Sequence, residues 1–163
     1  MSTKSISTLL LLGLGSLFLA PQAFAPRAIA QSKEMAVVVN SDNPVINLSS
    51  GDLRKVLAGA KRLWPGGQTV KIITRGPGCP ERLALLKLLA MSENEYKQYW
   101  TAQVLRGEAD SEPLVVPSVG MQKEALRIFP GAISLVNVDD VRPGMKVLKV
   151  DGLLPGAAGY PLH

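Results

Sequence analysis

The residues best placed to do chemistry lie between Val70 and Ala90. Val-Lys-Ile-Ile-Thr-Arg75 runs into Gly-Pro-Gly78, then Cys79-Pro-Glu-Arg82, then Leu-Ala-Leu-Leu-Lys-Leu-Leu-Ala90. A β-branched run stopping at an arginine, a Gly-Pro-Gly turn and a proline at the first helical position predict strand, tight turn and helix in immediate succession. The first turn of a helix presents backbone N–H groups without intrahelical partners, and its dipole favours negative charge. Arg75 and Arg82 add positive charge beside it. The chemistry this suits is the holding of a small anion; the competing reading is a plain turn flanked by two solvated arginines.

Other chemistry finds little support. Cys79 is the single cysteine and His163, the last residue, the single histidine, so there is no CxxC pair and no Cys–His arrangement within the chain. No paired carboxylates or metal-spaced cluster stand out, so an enzyme is not indicated and neither metal nor cofactor is implied. An internal disulfide is ruled out by the lone cysteine. The balance of 18 Lys and Arg against 13 Asp and Glu is mildly basic and spread along the chain. It allows an anionic ligand, but without clustered basic residues and exposed aromatics it argues against nucleic acid.

The elements that must position the turn can be read in order. Met35–Asn40 is a continuous apolar run that suits a strand buried on both faces. Ser49-Ser-Gly-Asp52 reads as a capping box opening a short helix with Leu53, Val56 and Leu57 on one face, and Gly59 closes it. Trp64-Pro-Gly-Gly67 is a loop leading to the strand at Val70. Ser92-Glu-Asn-Glu95 is a second capping box, and Tyr96, Tyr99, Trp100 and Val104 fall on one helical face, a stripe more often core than a stacking platform. Residues 108–117 read as a surface loop with a short strand at Leu114–Val116. Ser118 to Phe129 is predicted to be a helix with Met121, Ala125, Leu126 and Phe129 inward, ended by Pro130-Gly131. Residues 131–138 form the next strand, Lys146–Val150 a half-buried one, and the Gly- and Pro-rich tail has no regular structure. Strands alternating with helices imply an α/β domain with a small central sheet flanked by helices. In such sheets ligands sit beyond the carboxyl ends of strands, where Arg75 to Cys79 falls.

Lys4, the apolar run from Leu9 to Ala20 and the small-residue sites Ala23-Phe-Ala25 and Ala28-Ile-Ala30 form a secretory signal peptide. The run is shorter than the roughly 20 apolar residues a spanning helix needs, so no stable membrane insertion is expected after the leader is removed. Residues 1–30 are therefore assigned to the leader, with cleavage after Ala30 favoured over Ala25. Residues 31–163 form one domain, destined for the periplasm or secretion.

Val37-Val-Val-Asn40, Leu48-Ser-Ser-Gly-Asp-Leu-Arg-Lys-Val-Leu-Ala-Gly59, Trp64-Pro-Gly66, Ile73-Thr-Arg75, Pro130-Gly-Ala-Ile133, Lys146-Val-Leu-Lys-Val-Asp-Gly152 and Tyr160-Pro-Leu162 follow in an order that resembles the periplasmic phosphate-binding protein of phosphate ABC transporters. The resemblance implies one lobe of a periplasmic-binding-protein-like fold with a small central mixed sheet. It implies a phosphate or other small oxyanion as ligand and an ABC permease or envelope sensor as partner. That family has two lobes that close on phosphate, and this chain resembles chiefly the second. Its binding turn is Arg-Ser-Asp-Gly-Ser-Gly-Thr. Matched at Arg75 and Gly78, this chain puts Gly76, Cys79 and Glu81 where the family has hydroxyls, and Pro80 removes a backbone donor.

Arg75 and the backbone of Gly78 and Cys79 are what the resemblance carries over as ligand-binding groups; Arg82 is added from its charge. A site open on one side leaves its ligand half solvated, so weak binding is expected. The alternative is an interaction or accessory module that has kept the fold and lost the ligand.

Overall fold

The computed structural model describes residues 34–163. The expected leader, residues 1–30, lies outside the described residues. Seven strands and four α-helices are described, in the order β1 (Met35–Asn40), β2 (Asn47–Leu48), α1 (Ser50–Leu57), β3 (Lys71–Arg75), α2 (Pro80–Leu89), α3 (Glu93–Leu105), β4 (Leu114–Val116), α4 (Val119–Ile128), β5 (Ala132–Asn137), β6 (Met145–Val147) and β7 (Lys149–Val150).

Five strands form a mixed sheet in the order β4-β3-β5-β1-β6. β3 runs parallel to both β4 and β5, while β1 is antiparallel to β5 and β6. All six residues of β1 and of β5 are buried, as continuous apolar strands covered on both faces must be. The period of two sorts them. Met35, Val37, Val39, Ile133 and Leu135 join the helices α1 to α3, with Trp64 and Tyr160, in the larger core. Ala36, Val38, Ala132 and Val136 face α4 through Ala125 and Leu126 in the smaller one.

The predicted strand at Lys146–Val150 splits. β6 pairs with β1, and β7 pairs with β2 in a separate two-stranded parallel sheet. Between them Leu148 is fully buried and donates its N–H to the Val37 carbonyl at 2.8 Å, so the chain changes sheets at a core residue. The tail lacks regular structure, as expected, but it is no loose end. Tyr160 is 1% exposed and its hydroxyl donates to the Met35 carbonyl at 2.9 Å.

α4 corrects the predicted inward face. Met121 is 52% and Phe129 36% exposed, whereas Gln122 is fully buried. Ser118 caps the helix by accepting from the Met121 N–H. That sets the phase so that Gln122, Ala125 and Leu126, at i, i+3 and i+4, point inward. The Gln122 Nε2 is satisfied in the core, donating to Ser134 Oγ at 2.6 Å and to the Leu135 carbonyl at 2.8 Å, while its Oε1 is buried without a partner. Phe129 has left the helix with extended backbone, and its ring lies under the Lys71 ammonium, 5.9 Å from the centroid.

Gly131, which the sequence offers as a helix stop, has a stricter reason to be glycine. A Cβ there would sit 1.8 Å from the Thr69 carbonyl oxygen. The close approach lets the Gly131 carbonyl accept both the Lys71 N–H and Trp64 Nε1, each at 2.9 Å. Gly131→Ala is therefore expected to destabilise the protein by about 3 kcal/mol or more through backbone displacement. In urea denaturation the midpoint should fall with an unchanged slope, and a loss under about 1 kcal/mol would contradict the assignment.

Candidate anion site at the end of the central strand

β3 ends at Arg75, and Gly76 to Cys79 form a hydrogen-bonded turn in which the Cys79 N–H reaches the Gly76 carbonyl at 3.3 Å. Pro77 presets the first corner and Gly78, at φ 81°, supplies the second, the arrangement of a type II turn. A Cβ on Gly78 would meet nothing within 4 Å, so it is the backbone conformation that asks for glycine. Cys79 is the extended residue capping α2, its side chain makes no capping bond, and Pro80 opens the helix. The Cys79 N–H, expected to face a ligand, is thus engaged within the turn. Leu83 closes the first helical bond onto the Cys79 carbonyl at 3.0 Å. The backbone donors left at this end are those of Gly78, Glu81 and Arg82.

Arg75 reaches across the turn. Its Nη2 donates to the Pro117 carbonyl at 3.2 Å and lies 3.8 Å from Cys79 Sγ, while Nη1 stands 3.7 Å from Glu81 Oε1. That ion pair is too long for a hydrogen bond. Nε is buried without a partner, and the Arg75 and Glu81 side chains are only 12% and 6% exposed. Beneath them, between Thr74, Leu57 and Leu85, is a cavity of about 10 Å³, about one water in size. Since β4 is parallel to β3, Pro117 brings the N-terminus of α4 to the same sheet edge as that of α2. Two helix N-termini therefore open beyond the carboxyl ends of neighbouring strands.

Arg82 corrects its expected place. It is 5% exposed and clamped rather than presented to a ligand. Nε and Nη2 donate to the two Glu93 oxygens at 3.1 and 2.6 Å, Nη1 donates to Thr74 Oγ1 at 3.0 Å, and the guanidinium lies 3.9 Å from the Tyr96 ring centroid. Thr74 Oγ1 in turn donates to the Arg75 carbonyl at 2.8 Å. The Arg82 hydrogen bonds hold the Glu93 carboxyl below the usual carboxylate range, and burial pushes the Tyr96 phenol up to about 12. Arg82, Leu85, Leu86 and Leu89 follow one another at i, i+3, i+4 and i+7, a spacing that already puts Arg82 on the inward face. Glu93 was missed because its partner is eleven residues away across a helix–turn–helix. The aromatic stripe is core: Tyr96 and Trp100 are buried, and Tyr99 donates to the Ala58 carbonyl at 2.7 Å.

Among solved structures the chain is similar to an ABC-type phosphate transport receptor from Vibrio cholerae, with a TM-score of 0.60 and 23% identity, over 75% of this chain and 48% of that one. A putative phosphate ABC transporter substrate-binding protein with bound phosphate from Clostridium perfringens gives 0.59 and 18% over 74% and 46%. PstS from Borrelia burgdorferi gives 0.56 and 17% over 75% and 49%. This chain spans about half the length of each neighbour. No family model and no curated protein matches the sequence. What the likeness establishes is the fold: a mixed sheet flanked by helices that matches one lobe of a periplasmic binding protein. Among the described residues no helix is long and apolar enough to cross a membrane.

Glu93→Gln tests the clamp. Leaving a buried guanidinium without its counter-charge is expensive, but Glu93 is 41% exposed, so the expected loss is about 1–3 kcal/mol at pH 7. A lowered carboxyl pKa contributes stability above the unfolded value and loses it as pH falls through the folded one. The gap between wild type and Glu93→Gln, followed by urea melts, should therefore close as pH drops below the ordinary carboxylate range. A gap independent of pH would mean the charge is not what Arg82 needs.

Proposed function

We propose that this protein is an exported, non-enzymatic solute-binding-like protein that takes a small oxyanion, phosphate first among them, weakly at the Arg75 turn. The observation that carries the reading is the incompletely satisfied, largely buried Arg75 guanidinium at the carboxyl end of β3, beside the free N–H groups of α2. An oxyanion there gains charge-assisted bonds from Arg75 and backbone bonds from Gly78, Glu81 and Arg82. The fold adds support, because its neighbours are phosphate-transport receptors and one of them holds phosphate. An ABC permease is the partner this reading implies, and the leader supplies the route of export.

Weakness follows from the same geometry. Glu81 is an internal competitor for Arg75, and its charge repels a dianion. With few donors and an open face, affinity should lie on the order of 10 μM to 1 mM. Titration calorimetry with phosphate and sulfate tests the reading. Arg75→Ala should weaken binding by about ten- to a hundredfold, the worth of charge-assisted hydrogen bonds. Glu81→Thr should strengthen it, most clearly at low salt where charges are least screened. If neither wild type nor Glu81→Thr shows heat with either anion, the fold serves as an interaction module instead.

A further inference from the structure

A second cavity, at the opposite end of β3 from the Arg75 turn, is lined by charges that form no ion pair among the described residues. β4 pairs with β3 only from Ile73 onward, with Ile73 opposite Leu114. The preceding residues Val70 to Ile72 therefore have no strand beside them on that edge. The segment 109–113 passes there instead, and between the two lies a half-open cavity of about 180 Å³. That exceeds the ~150 Å³ apolar cavity that accepts benzene in an engineered protein. Val70, Ile72, Trp100 and Pro113 give it an apolar lining.

Its charges are sorted by element. Lys61 and Arg62, on the segment leading into β3, supply the cations, and Asp110 and Glu112, on the opposite segment, supply the carboxylates. Among the described residues none of these four forms an ion pair with another charged group. Glu112 accepts one bond, from Thr101 Oγ1 at 3.2 Å, which leaves its other oxygen available. Lys71 contributes its stem only, since its ammonium leans on Phe129. Cations on one wall, carboxylates on the other and an apolar lining between them match a small zwitterion with an apolar body.

We infer that this cavity is a binding site for a free α-amino acid with an apolar side chain, its carboxylate toward Lys61 and Arg62, its ammonium toward Asp110 and Glu112, and its side chain against Trp100 and Ile72. The site is separate from the Arg75 turn and does not depend on anion binding there. A ligand of about nine heavy atoms in a half-open site binds on the order of 1 mM.

The test is a titration of the ¹⁵N-labelled protein with L-leucine, followed by amide shifts. Saturable shifts confined to Lys61–Arg62, Val70–Ile72, Ala109–Glu112 and the Trp100 indole are expected. Leucinamide, which lacks the carboxylate, and N-acetyl-leucine, which lacks the ammonium, should each bind about three- to tenfold more weakly, as should L-leucine to the Lys61→Gln, Arg62→Gln double variant. Arg75→Ala should leave leucine binding unchanged. Absence of saturation up to about 20 mM leucine, equal binding of leucinamide, or loss of leucine binding in Arg75→Ala would overturn the inference.

Discussion

The buried guanidinium of Arg82 is the contact on which the rest of the candidate site depends. One planar cation holds Thr74 at the end of β3, Glu93 at the start of α3 and the Tyr96 ring one turn further on, while its own backbone belongs to the first turn of α2. A planar fork suits this because its donors diverge in one plane and its face stacks on an aromatic ring. With those three elements tied, the Gly76–Cys79 turn between β3 and α2 has little freedom, and Thr74 passes the constraint to the Arg75 carbonyl.

Arg75 is left in the opposite condition. Its neighbour α2 offers Glu81 at ion-pair but not hydrogen-bond distance, and one of its nitrogens is buried without a partner. Two arginines seven residues apart thus divide the work: Arg82 is fully paired and structural, and Arg75 is under-paired and available. The same contrast accounts for the low affinity expected here, since Glu81 shares the cavity with the guanidinium any anion must reach.

Much of this was legible in the residues. The apolar run of β1, the β-branched run of β3, the Ser92–Glu95 capping box and the Gly-Pro-Gly turn each carry a local physical cause, so their structures follow from short windows. Arg82 is different: its charge suggests a ligand contact, but its spacing to Leu85 and Leu86 places it inward. Gln122 in the core, the change of sheet at Leu148 and the close approach at Gly131 depend on partners 12 to 111 residues away, and no local pattern announces them. The Cys79 N–H was lost to the turn itself, because a type II turn closes on the residue that caps the helix.

The central claim, that the end of β3 and the first turn of α2 form an anion site, is tested most directly by amide shifts of the ¹⁵N-labelled protein on addition of phosphate. The account predicts saturable movement of the Gly78, Glu81 and Arg82 N–H signals together with the Arg75 side-chain Nε–H, and little at Cys79, whose N–H stays bonded within the turn. Saturable shifts centred elsewhere, or none at these groups at about 10 mM phosphate, would contradict it.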